Sequence, residues 1–262
     1  MKDVQNMKGD YKFGINEVGV ENIKYPLRIK SRSGQIISTV GNYSLGVNLD
    51  KELKGIHMSR LPQLLAELHA EEWILDDFKA DIYDILKDMQ SRMETDNACL
   101  ELEFDYFIAK EAPVSKQKGL MSYPCQIKAS LKDNDYDFFL SVEVPVTSLC
   151  PCSKEISDYS AHNQRGYTEV TVSYEGLLRV EELIEAVEKV ASCEVYSVLK
   201  RVDEKEVTEK AYNNPRFVED MVRLVAEELS TDDRIDWFRV SSQHQESIHP
   251  HDAYAVLEGS RQ

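Results

Sequence analysis

No apolar run in this chain of 262 residues approaches the roughly 20 residues that a membrane-spanning helix needs. The opening MKDVQNMKGDYKFG is polar and lacks the apolar stretch of an export signal, so a soluble cytoplasmic protein is expected. Cysteine is scarce and odd in number: Cys99, Cys125, Cys150, Cys152 and Cys193. In a long chain without an export signal, that count argues against a disulfide framework and for reduced thiols. Positive charge is also short, with 31 Lys and Arg against 47 Asp and Glu, a formal net charge of -16. A chain so acidic has no field with which to neutralise a phosphate backbone, so nucleic-acid binding is not expected. A phosphorylated small molecule needs only a local cationic pocket and stays admissible.

What is present has a definite order. Residues 1–24 hold few apolar residues and read as an N-terminal arm. From Tyr25 the segment YPLRIKSRSGQIISTVGNYSLGVNL alternates and is rich in Val, Ile, Thr and Tyr around an SRSG turn, the pattern of two antiparallel strands. LPQLLAELHAEEW and ILDDFKADIYDILKDMQSRM then carry apolar residues at helical spacing, among them Ile82, Ile85, Leu86 and Met89. NACLELEFDYFIAKEA and LMSYPCQIKASLKD alternate again, so residues 25–133 read ββααββ.

Residues 134–262 repeat the order. YDFFLSVEVPV and GYTEVTVSYEG read as strands, and VEELIEAVEKVASCEVYSVLKR and FVEDMVRLVAEELS as helices joined by the polar segment VDEKEVTEKAYNNPR. RIDWFRVSSQHQ and HDAYAVLEGS read as closing strands. Only the order of elements repeats, not the residues. Two such units imply an α+β protein of antiparallel sheets with helices on one face. Each sheet then has a second face and two edges to cover, which a barrel-forming oligomer would do.

Chemistry concentrates in TSLCPCSKEISDYSAHNQRG, whose Ser, Asn, Gln and Asp content cannot build a core. Cys150 and Cys152 flank a proline there, and in an extended segment residues two apart share a face. The spacing is not C-x-x-C, which leaves two small buried hydrophobes as an equal reading until His162, ten and twelve positions on, supplies an imidazole. Thiolate and imidazole together suit zinc, or a nucleophile and base, and a third ligand is missing. His69-Ala70-Glu71 opens like a zinc deaminase signature, but Glu155 stands where its second cysteine belongs.

In LKRVDEKEVTEK, Asp203 and Glu204 read equally as a solvated helix end or as candidate ligands. Lys200, Arg201 and Lys205, with Arg216 beyond, form a cationic cluster suited to a triphosphate. Glu219, with Asp220, begins a helical run, where a carboxylate favours the helix dipole or accepts the two N–H groups of a guanidine-like purine edge. His249 and His251 share a face in ESIHPHDAYA, and one of them could act as general acid or base.

Taken in order, KGIHMSR, TSLCPCSKEISDYSAHNQRG, LKRVDEKEVTEKAYNNPRFVEDMVR and ESIHPHDAYA resemble the type IB GTP cyclohydrolase I family of prokaryotes, over most of residues 25–260. The resemblance implies two tandem tunnelling-fold modules and a homotetramer. It implies conversion of GTP and water into 7,8-dihydroneopterin triphosphate and formate, at the entry to folate-type pterins and to queuosine. A divalent metal is implied, Zn2+ foremost, with Mn2+ or Fe2+ as alternatives. Cys150, His162 and Glu204 match the metal ligands, Glu219 the guanine anchor, and His249 and Cys152 the other reactive residues. Two further readings stand beside it: a non-catalytic protein whose zinc is clamped by both thiols, and a tunnelling-fold enzyme acting on pterins or deazapurines through the Cys152 thiol.

Overall fold

The structure, a computed structural model, describes residue 5 and residues 7–261. The chain opens with β1 (Ile15–Lys30) and β2 (Ile36–Leu49), an antiparallel pair whose register runs from Ile15↔Leu49 to Lys30↔Ile36. β1 begins ten residues before Tyr25 and therefore includes residues 15–24. Of the expected arm, residues 1–4 and 6 lie outside the described residues. Then come α1 (Arg60–Ala70) and α2 (Phe78–Met93), followed by the long strands β3 (Asn97–Glu111), β4 (Lys118–Lys132) and β5 (Asp135–Leu149).

The remainder contains α3 (Pro151–Ile156), β6 (Asn163–Tyr174), α4 (Val180–Val190), the two-residue β7 (Cys193–Glu194), α5 (Arg201–Asn213), α6 (Val218–Ser230), β8 (Ile235–His244) and β9 (Ala253–Ser260). The chain is α+β, with antiparallel strand pairs and helices against one sheet face. Among the described residues no helix is long and apolar enough to cross a membrane.

Two compact units divide the chain. One comprises residues 1–105 and 126–140, the other residues 106–125 and 141–262, so β3, β4 and β5 each contribute to both. In the first unit the strand order is β1-β2-β3-β4-β5. Its α2 starts where the Asp77 side chain accepts from the Ala80 N–H at 3.3 Å and ends at Glu94 in the left-handed region (φ 56°). The periodic residues Ile82, Ile85, Leu86 and Met89 are all buried, as their spacing predicts, and Phe78 meets Phe104 edge-on. His69 faces the Tyr25 ring.

The second unit adds β6, β8 and β9 beyond β5, with β7 on β5 through Val146↔Glu194 and Thr147↔Cys193. α4 buries Val180, Leu183, Ile184 and Val187, and α6 buries Met221, Val222, Val225 and Leu229. These are stripes of helical period facing the sheet.

Three segments differ from the reading of the sequence. The helical run expected through Arg201 stops at Val190, because Cys193 and Glu194 leave it to pair with β5. The polar segment VDEKEVTEKAYNNPR, expected as a connection, is mostly the helix α5. It buries only Asp203 and Ala211, so apolar period could not reveal it, and polar contacts at its ends hold it instead. At the start, Asp203 accepts from the backbone N–H groups of Lys200 (2.8 Å), Val114 (2.9 Å) and Ser115 (2.7 Å) and from the Ser115 hydroxyl (2.6 Å). Near the end, the Lys210 ammonium donates to Glu194. Third, the segment TSLCPCSKEISDYSAHNQRG contains the short helix α3.

Candidate functional site

The residues of interest lie in the second unit. β5 ends at Leu149, and Cys150 follows as the N-cap of α3, with Pro151 at the first helical position, where its missing N–H and preset φ cost nothing. The Cys150 sulfur accepts the Ser153 N–H at 3.5 Å. Cys152 is exposed in the first turn. The extended geometry expected of Cys150-Pro151-Cys152 is therefore corrected: Cys150 is extended but the chain turns helical at Pro151, and residues two apart on a helix do not share a face. The structure lends no support to a clamp using both thiols.

His162 is brought back to the start of this loop. Its carbonyl accepts the Cys150 N–H at 3.1 Å, which closes the loop between the two residues. The His162 Nδ1 lies 2.9 Å from Gln164 Oε1 and 3.1 Å from Ser247 Oγ. Such partners fix a ring's orientation and leave Nε2 as the atom that can ligate. The loop itself is open to solvent, with Tyr159 95% exposed.

α5 separates the two acidic residues of its first turn by role. Asp203 is buried. Burial alone would raise its carboxyl, but its hydrogen bonds from Ser115, Lys200 and Val114 outweigh that and hold it well below the usual carboxylate range. It is a structural anion. Glu204 is exposed on the first turn of the helix. Lys200 caps the helix, its N–H satisfied by Asp203, and Arg201 is its first residue. Lys205 stands 3.7 Å from Glu209 in an exposed pair one turn on, a weak contact that an incoming phosphate could replace.

At the start of α6, Asp220 accepts the Phe217 N–H at 2.8 Å and so takes the capping task. Glu219 is exposed, and its carboxylate has no hydrogen-bond partner among the described residues. The turn before it is stitched to the end of β5: the Arg216 N–H donates to Leu149 O at 3.0 Å, and Ser148 Oγ donates to Arg216 O at 3.1 Å. Cys150 and Glu219 thus hang from two strands of chain bonded to each other. The rings of His249 and His251 are exposed and stack at 5.1 Å, as residues sharing a face do.

His244 was not among the expected site residues. It is buried, its Nδ1 lies 3.1 Å from Ser148 Oγ, and its Nε2 is unpartnered among the described residues. Burial, partly offset by the Glu219 charge, lowers its pKa to about 4, so the ring is neutral near pH 7. Its only sequence signal was a histidine on the inward side of an alternating strand.

One thiol, one imidazole and one carboxylate fit a borderline-soft divalent cation in kind, with a coordination position to spare. Cys150 and His162 close one loop, and Glu204 stands on α5. Among the described residues, no three His, Cys, Asp or Glu side chains stand close enough together to hold a metal ion.

Comparison with known proteins adds to this geometry. The family model for type I GTP cyclohydrolase folE2 matches residues 1–255. A GTP cyclohydrolase FolE2 from Magnetococcus marinus is 47% identical, over 100% of this chain and 97% of its own length. Another from Nitrosococcus oceani is 45% identical over 98% of this chain and 95% of its own, and one from Syntrophobacter fumaroxidans is 45% identical over 100% of both. Among solved structures, the urate oxidase of Bacillus sp. TB-90 superposes with a TM-score of 0.57 at 9% identity, covering 94% of this chain and 99% of that one. The urate oxidase of Bacillus subtilis does so with a TM-score of 0.51 at 9% identity, covering 94% and 98%. At such identity the likeness is one of fold alone.

Proposed function

Because this chain belongs to the type I GTP cyclohydrolase FolE2 family, we propose that it converts GTP and water into 7,8-dihydroneopterin triphosphate and formate. The product feeds pterin and folate synthesis, and the finer family assignment is type IB. The observation that carries the reading is the placement of Glu219: outward on the first turn of α6, relieved of capping by Asp220, and tied through Arg216 to the end of β5 that bears Cys150.

In this reading Glu219 accepts the N1–H and 2-amino N–H of guanine, a pairing only an ionised, unshared carboxylate can make. Holding the purine there turns addition at C8 into a positioned reaction, a saving of several kcal/mol of barrier. Cys150, His162 and Glu204 would hold a divalent ion, Zn2+ with Mn2+ or Fe2+ as alternatives. When bound, that ion supplies Lewis acidity, which lowers the pKa of water from 15.7 towards about 7. His249 moves protons during ring opening, formate loss and ribose rearrangement, imidazole being the side chain suited to both giving and taking a proton. Cys152, exposed beside Cys150, is a second reactive thiol. Lys200, Arg201 and Lys205 take the triphosphate.

The same reading divides the chain into an N-terminal arm, cut back to the residues before β1, and two tandem tunnelling-fold modules expected at 25–133 and 134–262. It assembles them as a barrel-forming homotetramer in the cytoplasm, without membrane or nucleic acid. The exposed side chains of Tyr254 and Val256, on one face of the edge strand β9, support an assembly in which that face is covered. The test is to incubate the purified protein with GTP and each of Zn2+, Mn2+ and Fe2+, assay formate, and oxidise the product to a fluorescent pterin. Formate without a pterin, or neither, would sink the reading.

A further inference from the structure

His244 has a hydrogen-bonding problem with one solution. Ser148 has a single hydroxyl proton, and two groups lie 3.1 Å from its oxygen: the Arg216 carbonyl and His244 Nδ1. A carbonyl can only accept, so satisfying both contacts requires Ser148 to donate to Arg216 O and His244 Nδ1–H to donate to Ser148. The neutral ring then carries its proton on Nδ1. Its Nε2 is a bare lone pair, buried and unpartnered among the described residues.

The ring's seat is cut to shape. His244 pairs with Gly166 on β6, and a Cβ at position 166 would stand 2.9 Å from the ring Cδ2. Ser148 and His244 are 0% and 1% exposed, in strands β5 and β8. The relay ends on Arg216, whose N–H is held by Leu149 O and whose Nε donates to Val190 O at 2.8 Å. Three residues beyond Arg216 comes Glu219, whose charge acts on the His244 ring. Two residues beyond Ser148 comes Cys150.

We propose that His244, through the relay Nδ1–H to Ser148 to the Arg216 carbonyl, is a positioning residue that holds the Glu219-bearing start of α6 in register with the Cys150 loop. This rests on the reading of Glu219 as the guanine anchor. In this proposal His244 acts through the relay and not on substrate or reacting atoms. Its effect is on where the anchoring carboxylate stands, hence on how well the 2-amino group of guanine is recognised.

The experiment measures equilibrium binding of GTP and inosine triphosphate to metal-free protein. The two nucleotides differ by that amino group, so their affinity ratio reads the Glu219 contact, and a loss of folded fraction leaves the ratio unchanged. One hydrogen bond to a charged group makes the wild-type preference for GTP on the order of tenfold or more. His244→Phe fills the seat without the donor, and Ser148→Ala breaks the same relay from its middle. Each is expected to cut the preference about fivefold. His244→Asn, whose amide nitrogen sits as many bonds from Cβ as Nδ1 does, is expected to keep it.

Wild-type preference in both His244→Phe and Ser148→Ala would overturn the proposal, as would a His244→Asn protein no better than His244→Phe. Should His244→Phe fail to fold, Ser148→Ala decides alone by the same criterion. Formate release by the metal-loaded wild type is assayed alongside. Its absence overturns the functional reading and this proposal together, whereas its presence with unchanged preference in the variants overturns only the proposal.

Discussion

Replacing Lys210 by Met tests how α5, which carries Glu204 and the cationic cluster, is held in place. That helix buries little apolar surface, so its C-terminal half leans on polar contacts, the bond from Lys210 to Glu194 and the one from Lys154 to Tyr212 O. Burial pushes the Glu194 carboxyl up. The Lys210 ammonium and the Tyr196 hydroxyl (2.6 Å) outweigh it and bring the pKa from 4.5 down to about 2. At 1.36 kcal/mol for each tenfold change in proton affinity, that depression corresponds to about 3 kcal/mol. The Lys210 side chain is 42% exposed, so solvent screens its part, and about 2 kcal/mol is the expected loss at pH 7.

The sign with pH is set by the depressed value. The stabilisation is complete above the unfolded carboxyl pKa near 4.5 and disappears as pH falls towards 2. Without Lys210, the half-buried Glu194 keeps the Tyr196 hydroxyl but loses its ammonium partner when ionised, and is relieved when it takes up a proton. Urea unfolding of wild type and Lys210→Met at pH 7, 5, 4 and 3 should therefore show a difference that is largest at pH 7 and shrinks below pH 4.5. A difference under about 0.5 kcal/mol at pH 7, or one independent of pH, would refute this account of α5.

Three further outcomes are expected. Cys150→Ala should abolish formate release and weaken zinc binding, measured by competition with a chelator, whereas a fully active metal-free variant would count against its role. Glu219→Gln sets an amide against the guanine edge and should lower kcat/KM for GTP by about 10- to 100-fold, the value of a hydrogen bond to a charged group, and unchanged turnover would remove its assignment. Gly166→Ala places a Cβ 2.9 Å from the His244 ring and 3.0 Å from Val146 Cγ2. It should cost about 1–3 kcal/mol in urea unfolding, and a neutral effect would mean that the strand pair is free to part there.

How much could be read in advance differs from element to element. α2 and α6 were legible because their buried residues recur at helical spacing, and a one-sided apolar stripe has few other ways to leave water. β5 and β6 were legible from strict alternation, and β8 from alternation that sets in at Phe238. α5 was not, since its buried acid and its lysine find partners through Ser115 and Glu194, 88 and 16 residues away. The start of α3 was misread because Pro151 fits an extended segment and a first helical turn equally well.

The ordered motifs were enough to state the GTP cyclohydrolase family and its chemistry and to nominate Cys150, His162, Glu204, Glu219 and His249 as candidate site residues, because such expectations depend only on which functional groups the chain carries. Their arrangement is another matter. That Asp203 is a buried cap while its neighbour Glu204 faces solvent, that Cys150 and Cys152 diverge, and that His244 reaches across 96 residues to Ser148 were settled only by the folded chain. Hydrogen bonds of that kind are satisfied by groups close in space, and adjacency in the sequence says almost nothing about which groups those will be.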